Sequence, residues 1–391
     1  MAKHYISTDA IGQGTLWDTG LEKTYTGTTA LERHETVVMV TFVEENLTLL
    51  KNVPLCCPQC IGNLSQKEEA FVCDVCKKRF PIIEGIPDFR VFGDPYLGFE
   101  DDYKRSRLIA EHAHRLDFHE LLHFYWSQVP ETPDPLKKKF IQTVLLSEAK
   151  GKGILKELAL FSKGQVNPTQ NVLEIGCGTG GFLVQAAKTF SFVVGIDIAL
   201  RWLIVARKRL EGSKTKVPLI CCCAESLPFP NESFHWVVAS ATLEHTHEQE
   251  KVITESHRVL QNSGILFLST PNRYSLTVEP HTYLWGVGFL PRSWMQRYVH
   301  FLKGMDYKHI RLLSYFELKK LLTPVFSKVK FSLPYIDDSL MTHLGRWRKF
   351  QVKIYLFLKK LPLFKALLLL WGPMYTIFCF KETSPRAEKR I

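Results

Sequence analysis

Two kinds of apolar segment are missing from this sequence. The first residues, MAKHYISTD, contain no apolar run of the kind that forms a secretory signal peptide. No uncharged run elsewhere reaches the ~18 residues that a membrane-spanning helix needs. These absences argue against secretion and against insertion into a bilayer, so the sequence predicts a protein that is made and kept in the cytoplasm.

The chain also lacks the polar excess that is typical of disordered proteins. Hydrophobic residues make up 46% of its 391 positions and charged residues 23%, as in ordinary globular proteins. The length exceeds the ~100 to 200 residues of one domain. We therefore expect a folded core with additions at both ends.

The most informative segment is a buried-strand pattern that ends in alternating glycines, VLEIGCGTG at residues 172–180. Glycine accepts positive φ angles and has no Cβ, so a ligand can lie against the backbone N–H groups of such a loop. Residues 182–189 predict a helix directly after it, and the N-terminus of a helix favours polar ligands. The segment therefore predicts a nucleotide-type binding site.

Two ligand classes compete for this loop. Gly176, Gly178 and Gly181 match the dinucleotide fingerprint G-x-G-x-x-G, and Asp197 follows about twenty residues later. However, Glu174 is an acid inside the strand, where it would gain nothing beside a pyrophosphate but would attract a cationic ligand. S-adenosylmethionine carries an ammonium and a sulfonium, and Asp197 can accept both ribose hydroxyls. An NAD-binding domain and a degenerate, non-catalytic copy remain alternatives.

Residues 171–272 resemble the core of the class I S-adenosylmethionine-dependent methyltransferases, close to the quinone and small-molecule O-methyltransferases. The resemblance rests on LEIGCGTG, GIDIA, AESLPF and FHWVVASATLEH. It implies an α/β fold with a Rossmann-like seven-stranded sheet. It also implies that the glycine loop holds the methionine end of the cofactor, Asp197 the ribose, and Ala224 with Glu225 the adenine edge. The cofactor contacts implied in this way are Glu174, Gly176, Cys177, Gly178, Gly180, Asp197, Ala224, Glu225 and Ser240.

Four of the ten cysteines form two C-x-x-C pairs, Cys57 with Cys60 and Cys73 with Cys76, separated by twelve residues. This is metal-ligand spacing, because each tight turn points two thiolates at one tetrahedral ion. Disulfides or a redox pair are the alternatives. The surrounding residues resemble the small zinc ribbon that precedes some methyltransferases and that also occurs as a separate activating subunit. We expect structural Zn²⁺ with no chemical role, and cofactor binding that survives its removal.

The segment between ribbon and core predicts helices that cover the substrate side. It contains a literal H-E-x-x-H at His119, Glu120 and His123, the zinc motif of metalloproteases. No third ligand is marked downstream, so ordinary histidines are favoured over a metal site.

Candidate catalytic residues lie beyond the fourth predicted strand, which ends at Ser240, and the fifth, at residues 265–270. Ligands of open α/β sheets bind outside the carboxyl ends of the strands, so Glu279, His281, Tyr283 and Trp285 are natural substrate contacts. A packed surface excursion is the alternative. If the methyl acceptor is a hydroxyl, a base is useful, and His245 and His281 are the candidates because histidine titrates near neutrality. We therefore predict His245, His281 and Glu279 as catalytic residues.

Positive charge is concentrated near the C-terminus. Residues 301–391 contain 18 Lys and Arg against 6 Asp and Glu, whereas the first 300 residues have a net charge of −1. Residues 346–365 include seven bases and no acid, interleaved with apolar residues, and 366–371 are wholly apolar. This composition suits a helix in a membrane interface, a phosphate-binding face, or a plain helical insertion. Residues 374–380 resemble the last, antiparallel strand of the methyltransferase sheet, paired with 328–333.

We divide the chain into six parts. These are an N-terminal extension (1–50) with one predicted strand at 37–43, a zinc ribbon (51–95), a helical lead-in (96–165), the S-adenosylmethionine-binding core (166–272), a substrate-side insertion (273–312), and the end of the methyltransferase sheet (313–382), which carries the basic amphipathic insertion 343–371.

The sequence predicts a methyltransferase that acts on a hydroxyl or amine of a small-molecule, glycan or lipid-linked acceptor, in the cytoplasm or at a membrane surface. An RNA methyltransferase with a zinc module and a non-catalytic cofactor-binding partner are the alternatives. Nucleic acid is disfavoured because the fourth strand ends in Ser240-Ala-Thr-Leu, without the Asn/Asp-Pro-Pro-aromatic motif of enzymes that methylate base amino groups.

Overall fold

The computed structural model describes residues 44–130, 132–162, 166–336, 341 and 345–382. The predicted strand at 37–43 lies outside the described residues. Residues 44–50 are helical and precede the first cysteine pair. No helix in these ranges is long and apolar enough to cross a membrane.

The first sheet is small, antiparallel and built around the four cysteines. Its strands, in the order β1-β2-β3-β4, are β1 (Leu64–Lys67), β2 (Ala70–Cys73), β3 (Arg79–Ile83) and β4 (Ile86–Pro87). Each C-x-x-C pair is followed by a residue with positive φ, Ile61 at 58° and Lys77 at 61°. The N–H of each of these residues donates to the carbonyl of the first cysteine of its pair, at 2.8 and 3.0 Å. The two cysteine turns therefore have the same tight geometry.

Four helices follow the small sheet. They are α1 (Gly98–Ala113), α2 (Phe118–Ser127), α3 (Asp134–Leu145) and α4 (Ser147–Phe161). A capping box begins α2, in which Asp117 accepts from the Glu120 N–H and Glu120 accepts from the Asp117 N–H, both at 2.9 Å. Glu120 is thus occupied by the helix cap, and His119 and His123 are exposed. This arrangement supports the non-metal interpretation of the H-E-x-x-H sequence.

A seven-stranded sheet forms the centre of the molecule and confirms the predicted α/β architecture. Its strands are β5 (Asn171–Ile175), β6 (Phe192–Asp197), β7 (Leu219–Cys221), β8 (Phe234–Ser240), β9 (Leu260–Pro271), β10 (Lys328–Ser332) and β11 (Met374–Phe380). The order is β10-β11-β9-β8-β5-β6-β7. β11 runs antiparallel to both β9 and β10, as predicted for the last strand, whereas the pairs from β9 to β7 are parallel.

Helices cover both faces of this sheet, which explains why its central strands are almost wholly apolar. The helices after β5 are α5 (Gly181–Ala186), α6 (Leu200–Gly212), α7 (Gln249–Val259), α8 (Arg292–Lys303), α9 (Tyr315–Leu322), α10 (Arg346–Leu358) and α11 (Pro362–Trp371). Leu173 and Val237 belong to the hydrophobic core on one face, and Val172 and Val238 to the core on the other. The substrate-side insertion has a small core of its own around Val299.

The cysteine-bearing sheet docks onto the edge strand β7. Phe89 donates its N–H to the Cys221 carbonyl at 2.7 Å, and Asp88 forms a parallel bridge with Cys221. Phe71, Phe80 and Phe89 lie in the same hydrophobic core as residues of β5 and β6. The small sheet and the large sheet therefore share one core and cover one another's apolar surface.

A buried network of ion pairs fastens the chain that leaves the small sheet. Arg90 pairs with Asp88 at 2.7 Å and with Asp102 of α1 at 2.8 Å, and Asp102 also pairs with Arg201 of α6 at 2.7 Å. Arg201 pairs in addition with Asp94. The Arg90 and Asp102 side chains are fully buried. Because each charge has a partner, the network holds residues 88–94 against the large sheet without leaving an unpaired buried charge.

Candidate cofactor and acceptor site

The glycine loop has the backbone conformation that its sequence predicts. Gly176, Gly178 and Gly180 have φ angles of +71°, +49° and +73°. A Cβ on Gly176 would lie 2.3 Å from Thr242 Oγ1, whereas a Cβ on Gly178 would enter open space. Both glycines line a cavity of about 290 Å³ at the carboxyl ends of β5, β6 and β8. The loop therefore forms one wall of a cleft that a Cβ at Gly178 would narrow.

Asp197 stands at the end of β6 and also lines this cavity. Its Oδ2 accepts from the Gly178 N–H and its Oδ1 from the Ala199 N–H, both at 2.8 Å. Burial raises the pKa of Asp197 to about 6, although these two N–H groups oppose the shift. A carboxylate has about four lone-pair sites, so Asp197 can accept two further hydrogen bonds from a diol.

Three other predicted residues line the same cavity, namely Ala224, Glu225 and His245. Glu225 is buried, and its Oε1 accepts from the His247 N–H at 2.8 Å. The bond fixes the turn after β8 against the segment after β7. Ala224 and Glu225 therefore border the end of the cavity next to β7.

Four predicted cofactor residues do not line the cavity. Gly180 caps the N-terminus of α5, and a Cβ added to it would lie 3.3 Å from the Ala206 Cβ of α6. Cys177 is buried with its sulfur toward Gly195 of β6. Ser240 lines a different cavity, because side chains alternate along β8. These three residues support the loop or face away from it.

Glu174, the fourth, lies buried within β5, and its Oε2 has no hydrogen-bond partner among the described residues. Burial, together with the charge of Asp197, raises the pKa of Glu174 well above its ordinary value. A carboxyl oxygen without a partner behind the glycine loop is the kind of group that a nearby cation satisfies.

Sequence reasoning missed the contribution of the segment before α1. Phe92, Asp94 and Tyr96 line the same cavity as the glycine loop, together with Trp202 and His247. Nothing in their local sequence marks them as ligand contacts, since they follow the predicted ribbon without a motif. The docking of the small sheet onto β7 brings them to the site.

A chain of polar side chains extends from the cavity into the substrate-side insertion. Tyr96 Oη lies 2.7 Å from His245 Nδ1, and His245 Nε2 lies 3.1 Å from His281 Nε2. His281 Nδ1 is hydrogen-bonded to Glu279. Glu279 is buried and also accepts from the Thr282 N–H at 2.7 Å. The three predicted catalytic residues are thus adjacent, and only His245 reaches the cavity wall.

The two histidines have opposite electrostatic environments. Burial lowers the pKa of His245 to about 3, and the positive charge of His281 contributes to the decrease. Burial also disfavours the charged form of His281, but its hydrogen bond to the Glu279 carboxylate outweighs this effect and raises the His281 pKa. Glu244, whose own pKa is raised by burial, lies 3.9 Å from His281 Nε2. A proton shared among these hydrogen-bonded side chains is therefore most stable on His281.

Tyr283 and Trp285 do not join this group. The Tyr283 ring lies under Lys139, whose Nζ is 4.0 Å from the ring centroid. Trp285 is exposed, and its Nε1 donates to the Leu276 carbonyl at 3.1 Å. Of the four predicted substrate contacts in the insertion, Glu279 and His281 are the two that the structure connects to the cavity.

The four cysteines of the small sheet converge on one point. Their Sγ atoms all lie within 4.8 Å of one another, with 3.6 Å between Cys57 and Cys76 and 3.5 Å between Cys60 and Cys73. A tetrahedral zinc site with Zn–S bonds of ~2.3 Å would place its sulfurs ~3.8 Å apart. The thiol positions fit such an ion, and the neighbouring Cys56 is not part of the group.

Comparison with known proteins identifies the centre of the chain. Residues 173–268 match the family of methyltransferase domains. Ajmaline N-methyltransferase of Rauvolfia serpentina is 26% identical over 191 residues, which are 46% of this chain and 66% of that protein. A ubiquinone biosynthesis O-methyltransferase of Bartonella quintana is 28% identical over 173 residues, which are 44% of this chain and 63% of that protein. The matched part of this chain therefore covers less than two thirds of the length of these two relatives.

Among solved structures, phosphoethanolamine N-methyltransferase 2 of Haemonchus contortus in complex with S-adenosyl-L-methionine is 18% identical. It covers 58% of this chain and 52% of its own, with a TM-score of 0.40.

Proposed function

We infer that this protein, whose residues 173–268 form a class I methyltransferase domain, transfers a methyl group from S-adenosylmethionine to a hydroxyl of a small-molecule, glycan or lipid-linked acceptor. The observation that carries the inference is the cavity lined by the glycine loop and Asp197, which has a series of hydrogen-bonded Tyr and His side chains at its border. Relatives with N-, O- and C-methyltransferase names leave the acceptor atom open, and the histidine pair favours a hydroxyl because a hydroxyl must lose a proton.

The residues around the cavity fit the cofactor. Asp197 would accept the ribose hydroxyls, Ala224 and Glu225 would border the adenine, and Gly176 and Gly178 of the loop would border the methionine end. The carboxyl oxygen of Glu174 without a partner lies behind that loop and suits an ammonium. The bound cofactor supplies an electrophilic methyl group, and positioning of the acceptor in line with it contributes up to ~7 to 11 kcal/mol.

We assign the removal of the acceptor proton to the His245 and His281 pair. Because the pKa of His245 is lowered to about 3, His245 alone would be a weak base. The acceptor can give its proton to His245 directly, or to Tyr96 Oη while Tyr96 donates its own proton to His245 across the 2.7 Å contact. His245 can then pass a proton from its Nε2 across 3.1 Å to His281, where the Glu279 carboxylate stabilises it. The acceptor oxygen, freed of its proton, would then bond to the methyl carbon as the bond between that carbon and the sulfonium sulfur breaks, which leaves S-adenosylhomocysteine with the electron pair.

Cofactor binding is tested by a glycine substitution in the cavity wall. Gly178→Ala places a Cβ in the open space of the cleft and at a φ of +49°, so we expect an affinity for S-adenosylmethionine at least tenfold lower in isothermal titration calorimetry. The control is Gly212→Ala at the exposed end of α6, which contacts nothing and has no positive φ. Equal affinities in the two variants would show that the cofactor does not bind in this cleft.

The acceptor class is tested by incubating the protein with methyl-labelled S-adenosylmethionine and a cell extract, and then separating lipid, small polar, RNA and protein fractions. Label in the lipid or small polar fraction supports the proposal. Label in RNA would replace it with an RNA methyltransferase, and an unlabelled extract despite tight cofactor binding would favour a non-catalytic partner.

We further propose that Cys57, Cys60, Cys73 and Cys76 hold structural Zn²⁺. The sulfur positions fit a tetrahedral ion, and four thiolates close its coordination shell so that no position remains for water. The metal would therefore stabilise the small sheet and take no part in methyl transfer.

The basic insertion is proposed to contact a membrane surface. α11 has no buried residue, and the outer side chains of α10 and α11 include Trp347, Phe357 and Leu363, which are 69%, 63% and 70% exposed. Exposed apolar side chains between lysines are typical of helices that lie in a lipid interface. This supports peripheral binding to a membrane surface.

A further inference from the structure

A second cavity, of about 810 Å³, lies beside the cofactor cleft. It is bounded by α4 on one side and by α10 and α11 on the other, and the ends of β8, β9 and β11 form its floor. Ser240 lines this cavity, while the next residue, Ala241, lines the cofactor cleft. Both spaces therefore reach the carboxyl end of β8, the edge of the sheet at which ligands of such folds bind.

Most side chains that line this second cavity are apolar. Ile154 of α4 and Leu367, Leu368 and Trp371 of α11 contribute apolar walls. The volume lies within the ~300 to 1,000 Å³ that ligand pockets usually have. A space of this size, with apolar walls on two sides, suits a flexible apolar chain.

Polar groups lie on the floor and also on the helical walls, where Lys150, Gln351 and Tyr355 line the cavity. Ser240, Ser269 and Thr376 stand in register on three neighbouring strands and all line the cavity, as does Glu157 of α4. Burial raises the pKa of Glu157 to about 7, although its contact with the Tyr335 N–H opposes the shift. The polar row begins at Ser240, so the polar end of an amphiphile would lie next to the cofactor cleft.

The helices that line the cavity are the same ones that expose apolar and basic side chains outward. On the outer side, Lys353, Lys360 and Lys365 are exposed, and residues 345–371 contain no acid. A bilayer with anionic headgroups complements this charge. A second copy of the chain does not, because a symmetric interface would bring the two basic faces together.

We propose that the cavity under α10 and α11 holds the apolar chain of an amphiphilic methyl acceptor that is drawn from a membrane. The proposal rests on the proposed function, since it assigns the acceptor class of the same site. The insertion between β10 and β11 thus has two roles: its outer face contacts lipid headgroups and its inner face receives the apolar chain.

The test uses a photoreactive palmitic acid carrying a diazirine, with the full-length protein. After irradiation, mass spectrometry should find the label on peptides from 147–161 and 346–376, saturable by unlabelled palmitic acid. Leu368→Trp fills the cavity from α11 and should reduce labelling at least tenfold. Leu363→Trp is the matched control, since it makes the same change on the same helix at a side chain that is 70% exposed and does not line the cavity; it should label like the unmodified protein.

Equal labelling of the two variants would overturn the proposal, because the probe would then sit on the helix surface. So would non-saturable labelling, or a stable dimer in sedimentation that buries α10 and α11. S-adenosylmethionine affinity is measured on the same samples and should be unchanged in both variants. A protein that binds the cofactor but not the probe refutes only this inference, whereas one that does not bind the cofactor refutes the proposed function.

Discussion

At the residue scale, the contact between Glu279 and His281 controls the proton chemistry of the site. Glu279→Gln keeps the shape but removes the negative charge that raises the His281 pKa. A base acts only when it is unprotonated, so activity should rise as the pH passes upward through this pKa. In Glu279→Gln the rise should therefore begin at lower pH than in the unmodified protein.

Two measurements check this shift. Histidine NMR titration should show a lower His281 pKa in Glu279→Gln without any need for a substrate, and the pH profile of kcat/KM with the identified acceptor should shift in the same direction. His281→Ala should reduce turnover and leave S-adenosylmethionine affinity unchanged. An unaltered titration in Glu279→Gln would remove Glu279 from the mechanism.

A second residue-scale prediction concerns the buried ion pairs. Asp102 is fully buried between Arg90 and Arg201, so Asp102→Asn leaves two buried cations short of a partner and should lower the free energy of unfolding by about 3 to 5 kcal/mol. The neighbouring Asp101 is 70% exposed, so Asp101→Asn should change the free energy of unfolding by less than about 0.5 kcal/mol. Urea unfolding of both variants measures the difference, and similar midpoints would contradict the assigned role of the network.

At the scale of elements, the docked small sheet links the cysteines to the cofactor site. Its residues share a core with β5 and β6, and the segment that leaves it supplies Phe92, Asp94 and Tyr96 to the cleft. This packing leads us to replace the expectation that cofactor binding survives the loss of zinc. We now expect the metal to support one wall of the cofactor cleft.

Cys57→Ser should abolish stoichiometric zinc, measured by mass spectrometry of the metal, and should weaken S-adenosylmethionine binding at least tenfold, measured by calorimetry. The control is the adjacent Cys56→Ser, which alters a cysteine outside the group and should keep one zinc and normal affinity. If Cys57→Ser lost zinc but bound the cofactor normally, the small sheet and the cleft would be independent after all.

At the scale of the whole molecule, the uneven charge provides a test of the proposed membrane contact. Basic residues near an anionic surface contribute about 1 kcal/mol each. Replacing Lys353, Lys360 and Lys365 by alanine should therefore weaken binding to phosphatidylglycerol vesicles by about 3 kcal/mol, roughly a hundredfold, in sedimentation assays. Replacing Lys303, Lys319 and Lys320 by alanine removes the same amount of charge outside α10 and α11 and should change vesicle binding little. Equal losses would indicate a general charge effect without a membrane-facing surface.

The sequence by itself determined the features that depend on local backbone chemistry and periodicity. Alternating glycines at 176, 178 and 180 predicted positive φ angles that the structure shows, because no other residue adopts them at low cost. The cysteine spacing predicted four converging thiols, and the short segments that resemble class I methyltransferases implied the seven-stranded sheet and its antiparallel last strand. In each case the information lies within a few neighbouring residues.

Only the tertiary structure decided what meets across the fold. Tyr96 reaches His245 over 149 positions of sequence, Ser240 faces the second cavity and not the cofactor cleft, and α10 and α11 fold over that cavity. The docking of the small sheet on β7 also depends on contacts between distant segments. Such contacts are selected by the burial of apolar surface and the pairing of buried charges over the whole molecule, and these free energies leave no short pattern along the chain.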